Sequence, residues 1–321
     1  MTDLEQTLAG LTVPVVGAPM AGAAGGALAA AITAGGGLGL IGVGNVATVE
    51  QVRTEGAIAA ATGHRIGFGL MCWSLPQNPE LLDAALEFDP VVVSLSFGDP
   101  RPYLAKVRDT GAAVIAQVGT RAEALDALEA GVDGLVVRGS EGGGHGRGVV
   151  STLPLLQQVL DLTDKPVLVG GGVATARGLA AVLAAGASAG WVGTPFAACA
   201  ESLFRPELKE AVIAADTDQT VYTRAFDIAQ RFDWPQIYGG RALANEFSDE
   251  WAERTDALEE AVTDEMTATI KQARVDADLS MAPVYAGESA GLVDRARTAA
   301  QVLEDFTPFR EHLRAAQRWL D

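Results

Sequence analysis

The 321-residue sequence predicts a (β/α)8 TIM barrel with an additional, mostly helical segment. Three observations lead there: short β-branched runs alternate with Ala- and Leu-rich stretches, eight such runs can be counted, and several are apolar without interruption. The runs fall at Pro14–Pro19, Gly37–Gly44, Arg65–Met71, Pro90–Gly98, Ala113–Thr120, Gly134–Glu141, Pro166–Val173 and Ala189–Phe196. Their starts lie roughly two dozen residues apart, the length of one βα unit. Val91-Val92-Val93 and Val167-Leu168-Val169 suit parallel strands that are covered on both faces, where a half-exposed strand would alternate. Eight even units with no second kind of domain between them favour a closed barrel over an open doubly wound sheet.

After the eighth run the character changes. Residues 201–279 are rich in charge and helix formers and show no clear strand. The expected organisation is a barrel core over residues 1–200, a helical addition over 201–285, and a return segment over 286–321 that packs on the barrel. Within the addition, the Ala-rich amphipathic stretch Ala252–Ala273 serves equally as a face for a second copy, giving a homodimer, or as a lid.

Composition narrows the partners. Forty-one acidic side chains against 23 basic ones give a formal charge of −18, which opposes binding to a nucleic-acid backbone or an anionic membrane surface. A local phosphate site survives, because backbone N–H groups at a helix start need no net basic charge. Residues 6–49 carry no charge, but Pro14, Pro19 and many glycines divide them into turn-bounded pieces, so they do not read as a membrane span. Cys72 and Cys199 are the only cysteines and read as small core residues in a reducing compartment. The start, Met1-Thr2-Asp3-Leu4-Glu5, has no basic region before an apolar stretch, and a cytoplasmic location is expected.

In a parallel barrel the reactive groups gather at the C-terminal strand ends. After the sixth run comes Gly139-Ser140-Glu141-Gly142-Gly143-Gly144-His145-Gly146-Arg147-Gly148, an imidazole among glycines that let backbone approach a flat ligand. The imidazole pKa lies nearest neutrality, which makes His145 the candidate base for abstracting a proton from a carbon acid. The alternative is a structural hydrogen-bonder in a turn. His64 and His312 read as surface or packing residues. After the seventh run, Gly170-Gly171-Gly172 leads into a helix, and the eighth ends in Gly193-Thr194; together they form the usual phosphate position of such barrels. Ala18-Pro19-Met20 closes the first strand, where it can lie beneath a planar ring, although a Met there is more often core. The G-x-G-x-x-G match Gly37–Gly42 is discounted, because it falls on the second strand rather than at the opening of a helix.

These residues resemble the nitronate monooxygenase family along nearly the whole chain. The markers, in the family's order, are Ala18-Pro19-Met20, Ala34-Gly35-Gly36-Gly37-Leu38-Gly39, Glu141-Gly142-Gly143-Gly144-His145, Gly170–Gly172 and Gly193-Thr194-Pro195-Phe196. The resemblance implies FMN at the barrel mouth with its phosphate on the Gly171-Gly172 and Gly193-Thr194 turns. It implies His145 as base, and a wider set of cofactor contacts comprising Ala18, Pro19, Met20, Gly69, Gln117, Gly139 and Gly144. Trp234-Pro235, Arg241–Asn245 and Tyr285-Ala286-Gly287 also resemble family segments, without assigned roles. The chain departs from the family pattern at Gly69, where many members have Asn, at Gln117, where some have Lys, at Arg138, where Gln is common, and at Gly146-Arg147, where the order is commonly reversed. The expected activity is oxidation of alkyl nitronates or nitroalkanes by dioxygen to a carbonyl compound and nitrite. The alternatives are an NAD(P)H-dependent flavin reductase of the enoyl-acyl-carrier-protein or quinone reductase type, and a non-catalytic flavin- or phosphate-binding protein.

Overall fold

The computed structural model describes residues 3–319; Met1 and Thr2 of the N-terminal stretch read above, and Leu320 and Asp321 of the return segment, lie outside them. The described strands are β1 (Val15–Gly17), β2 (Leu40–Gly42), β3 (Gly67–Met71), β4 (Val92–Ser96), β5 (Ala113–Val118), β6 (Gly134–Arg138), β7 (Gly144–Gly146), β8 (Val167–Gly170), β9 (Ala189–Val192), β10 (Thr220–Thr223) and β11 (Gly239–Leu243). Eight of them form one parallel sheet in the order β1-β9-β8-β6-β5-β4-β3-β2. Its two edges meet in a parallel bridge between Val16 and Leu38. There Gly17 N–H donates to Leu38 O at 2.8 Å and Leu38 N–H to Val15 O at 3.0 Å, which closes the barrel. Each expected strand is present, though most are shorter than the run that predicted them, because flanking prolines and glycines belong to turns.

The uninterrupted apolar runs divide between two cores by the twofold alternation of a strand. Val16, Leu40, Val92, Ile115, Val136, Leu168 and Trp191 point into the barrel, where Leu4 and Leu8 of the helix Asp3–Ala9 join them and plug its N-terminal end. Their neighbours Val15, Ile41, Val93, Val114, Leu135, Val169 and Val192 face outward into the layer beneath the helices. The helix Gly26–Ala34 crosses Val49–Ala60 at Gly26, whose N–H donates to Glu55 Oε2 at 2.7 Å. A Cβ at Gly26 would run into the Glu55 carbonyl and lie 3.1 Å from Ala59 N. Gly26→Val is therefore expected to cost about 1–3 kcal/mol by overpacking. A thermal melt checks this, and an unchanged Tm would show that the contact is slack.

The return segment covers the seam between the first and last strands. Its helix Ala299–Phe306 sets Ala299, Val302, Leu303 and Phe306 into the outer core and packs on Gly26–Ala34 and Ala176–Ala184. Arg310 Nη2 donates to Thr12 O at 2.9 Å.

Two sequence readings need correction. The region 201–279 holds helices but also β10 and β11, which pair antiparallel with each other and, through β11, with β7. These strands are short and rich in Gly, Thr and Arg, so no apolar period marks them. The stretch Ala252–Ala273 is not one helix: Thr255–Ala261 ends at Val262, which is extended with ψ 124°, before Asp264–Asp276 begins. Among the described residues, no helix is long and apolar enough to cross a membrane.

Candidate active site

Beyond the inner apolar layer of the barrel the inward positions become small or polar. Ala18, Gly42 and Gly170 follow Val16, Leu40 and Leu168 on β1, β2 and β8, Gly69 is the small residue of β3, and Ser94 then Ser96, Gln117 and Arg138 follow Val92, Ile115 and Val136 on β4, β5 and β6. The small residues leave space, and the polar ones line one side of it. The result is a cavity of about 460 Å³ at the C-terminal end of the barrel, within the roughly 300–1,000 Å³ typical of small-molecule sites. On the polar side the Ser94 and Ser96 hydroxyls are 3.0 Å apart, Ser96 Oγ accepts from Gln117 N at 2.9 Å, and Gln117 Nε2 donates to His145 O at 3.4 Å.

The expected phosphate turns line the same cavity. Gly171 and Gly172 take φ of +105° and +72°, which favour glycine. A Cβ on Gly171 would run into Thr152 Oγ1. The backbone N–H groups of Gly171, Gly172 and Gly193 make none of the described loop hydrogen bonds, and Thr194 opens the helix Thr194–Ala197, whose first N–H groups have no acceptor within the helix. The Thr194 hydroxyl accepts from Gly287 N at 3.0 Å. Pro19 packs against Gly69, where any Cβ would collide with its ring, and a Cβ on Gly193 would meet Met20 Sδ only at an ordinary contact distance. This cradle fits a phosphorylated planar group: open donors sit at one end, small residues beneath, and polar side chains along one rim.

His145 is carried by β7 rather than by a free loop. Opposite it on β11 is Gly240, where a Cβ would lie 2.7 Å from the Tyr285 ring. Tyr222 fixes both neighbours, since its hydroxyl donates to Gly146 O and accepts from Gly239 N, each at 2.8 Å. Arg241 Nε donates to Ser140 O at 3.0 Å. The addition therefore positions the imidazole.

The imidazole Nε2 lies 2.9 and 3.0 Å from the two carboxylate oxygens of Asp227, and the two side chains are only 12% and 5% exposed. Against a carboxylate this nitrogen is the donor, which leaves Nδ1 as the lone-pair nitrogen. Trp234 stacks on the ring at 3.8 Å between centroids and 2° between planes. Phe97, held at φ +62° where non-glycine residues are strained, meets the Trp234 ring edge-on at 5.1 Å. Tyr285 reaches the cavity surface, yet burial raises its phenol well above the usual value and the Asp227 carboxylate pushes the same way, so it stays neutral.

All but one of the expected cofactor residues line the cavity: Ala18, Pro19, Met20, Gly69, Gln117, Gly144, Gly171, Gly172, Gly193 and Thr194, together with His145. Gly139 does not. It is buried behind the wall, where a Cβ would strike the Thr152 hydroxyl and amide, and its role is packing. His64 is exposed and His312 partly so. Both cysteines are buried, and burial pushes each thiol up to about 12, which leaves them inert near neutrality. Sequence reasoning missed Asp227, whose only mark is to be the lone acid in the apolar segment Ala225-Phe226-Asp227-Ile228-Ala229. It also gave Trp234 and Tyr285 no role, and Ser94 and Ser96 no mention.

A closed parallel barrel whose mouth joins a glycine cradle to a buried, carboxylate-held histidine forms a site for a small phosphorylated ligand beside a proton acceptor. The chain belongs to the nitronate monooxygenase family, whose model matches residues 77–308. An octahydro-indene carboxyl-CoA dehydrogenase of Rhodococcus jostii is 33% identical over 223 residues, an alignment that covers 68% of this chain and 62% of that relative. Among solved structures, FabK from Thermotoga maritima superposes with a TM-score of 0.85 at 29% identity, with 99% of each chain covered. The nitroalkane oxidase from Streptomyces ansochromogenes gives 0.80 at 26% identity, covering 98% of this chain and 100% of that one.

Proposed function

We propose that the protein binds FMN in this cavity and oxidises alkyl nitronates, and nitroalkanes first deprotonated at His145, with dioxygen as electron acceptor, to a carbonyl compound and nitrite. The observation that carries the proposal is the Asp227-held imidazole of His145 facing the cradle. The amides of Gly171, Gly172, Gly193 and Thr194 would take the phosphate, while Ala18, Pro19, Met20 and Gly69 would bound the ring and Gln117 would offer its rim a hydrogen bond. The chemistry that bound FMN supplies is electron transfer from substrate to dioxygen. His145 Nδ1 accepts the proton from the α-carbon of a neutral nitroalkane. Asp227 holds the ring and balances the imidazolium that results. Trp234, Phe97 and Tyr285 restrict water around the reacting carbon.

Oxygen uptake with propyl nitronate, together with an absorption spectrum of the purified protein, tests the proposal. Uptake by a yellow protein with stoichiometric nitrite supports it; a yellow protein that leaves propyl nitronate untouched counts against it. The competing reading, an NAD(P)H-dependent reductase, draws on the relative named as a dehydrogenase. Anaerobic mixing with NADH or NADPH separates the two, because rapid bleaching belongs to the reductase alone.

Asp227 has its own expected outcome. Asp227→Asn should lower turnover of neutral nitroalkane by about 10²-fold, within the ~10²–10⁴ that a positioned base contributes. A preformed nitronate, which needs no proton removed, should be little affected. Equal losses on both substrates would assign Asp227 to folding alone.

A further inference from the structure

Arg138 ends β6 and lines the cavity, with its guanidinium held against the 142–146 loop, where a Cβ on Gly146 would meet Nη1 and one on Gly142 would meet Nε. It is 3% exposed and forms no ion pair among the described residues. One terminal nitrogen, Nη2, donates to the carbonyls of Gly142, Gly143 and Gly144, the last two at 3.2 and 2.7 Å. The other donors, Nε and Nη1, are buried without a partner. Burial lowers the guanidinium to about 10, which still leaves it charged at neutral pH.

The charges around it do not neutralise it. Glu141 is the nearest acid by sequence, but its carboxylate accepts from Thr152 N at 3.2 Å. Arg241 adds a second cation and is itself 3.5 Å from Glu288. Gln117 and the Ser94–Ser96 pair beside it on the floor are neutral. Glu141 favours the charge from a distance, but in a chain of net charge −18 a buried cation without an ion-pair partner among the described residues is a local arrangement, not a reflection of overall charge.

Arg274 also lines the cavity but donates to Gln230 at 2.6 Å, and from this geometry we infer that Arg138 is a resident counter-charge of the cavity and stabilises the negative charge that reduction places on the bound flavin ring. The inference rests on the flavin reading above. It gives this barrel a cation on β6, at a position where the family resemblance leads one to expect a neutral Gln. The physical effect is that a fixed cation in a site of low dielectric favours whichever state of the ligand carries the extra electrons. Its consequence is a flavin that accepts electrons from the substrate more readily.

Sulfite is the probe, because it adds its electron pair to the oxidised ring and the adduct carries extra negative charge. FMN-loaded wild-type protein is expected to form this adduct at far lower sulfite concentration than free FMN does. Arg138→Gln should weaken the adduct at least tenfold, and the midpoint potential should move negative by the equivalent, about 30 mV for a two-electron couple. Arg138→Lys keeps the charge but loses the Nε and Nη1 donors, and should stay within threefold of wild type. Wild-type protein that binds sulfite no better than free FMN overturns the inference without reference to any variant. So does an unchanged adduct and potential in Arg138→Gln, or an equal loss in both variants, which would make Arg138 a staple of the 142–144 loop. A wild-type protein that takes up no flavin overturns the flavin reading and this inference together, whereas flavin-loaded variants with unaltered affinity overturn this inference alone.

Discussion

Replacing His145 by Asn is expected to lower kcat/KM for a neutral nitroalkane by about 10²–10⁴-fold, the contribution of a positioned general base, which corresponds to roughly 3–5 kcal/mol of lost transition-state stabilisation. The side chain is one of three histidines in the chain, and of these it alone lines the cavity. Asparagine approximates the size of imidazole but cannot accept the proton. Because backbone groups and small residues make the cradle, the variant should retain its flavin. A preformed nitronate has already lost the proton, so its oxidation should fall far less than that of the nitroalkane. Oxygen consumption and nitrite release with both substrates measure the split. Full nitroalkane activity in the variant would remove His145 from the mechanism.

The second large effect is expected at Gly171. Its φ of +105° strains any L side chain, and Thr152 Oγ1 stands where a Cβ would go. Gly171→Val must push the turn away from the cavity and carry one of the open amides with it. The variant should purify colourless, or with flavin affinity reduced at least ~10-fold, since strain of about 1–2 kcal/mol comes from the left-handed backbone alone. Gly172 supplies the control: its φ is +72°, but a Cβ there would meet nothing nearer than 3.9 Å. Asn tolerates that backbone region, so Gly172→Asn should keep most of the bound flavin. The ratio of flavin to protein absorbance reads both variants, and a fully yellow Gly171→Val protein would contradict the cradle as described.

The barrel was legible because its strands are buried on both faces. Val136 turns inward and Val137 outward, and both positions must be apolar, so β6 reads as an uninterrupted run at the expected spacing. The glycine turn beyond β8 was legible for a related reason: Gly171 and Gly172 take φ values that favour glycine, so the residue type itself marks the turn. The small sheet was not. β7 is Gly-His-Gly and β11 begins Gly-Gly-Arg, and their pairing follows from packing against Tyr222 and Tyr285, which no local period records. Asp227 was hidden likewise, because its partner lies 82 residues away in the sequence. Gly139 is the expected cofactor residue that does not line the cavity. It sits in the glycine-rich loop with the functional residues, yet its lack of a side chain makes room for Thr152 rather than for a ligand.

The measurement that bears most directly on the central claim is a crystal structure of the protein grown with FMN. Phosphate oxygens are expected at hydrogen-bonding distance, roughly 2.7–3.2 Å, from the amides of Gly171, Gly172 and Gly193 or Thr194, with the ring over Ala18 and Gly69 and in reach of His145. An FMN phosphate bound elsewhere on the protein, or a cavity filled by side chains in the presence of excess FMN, would contradict it.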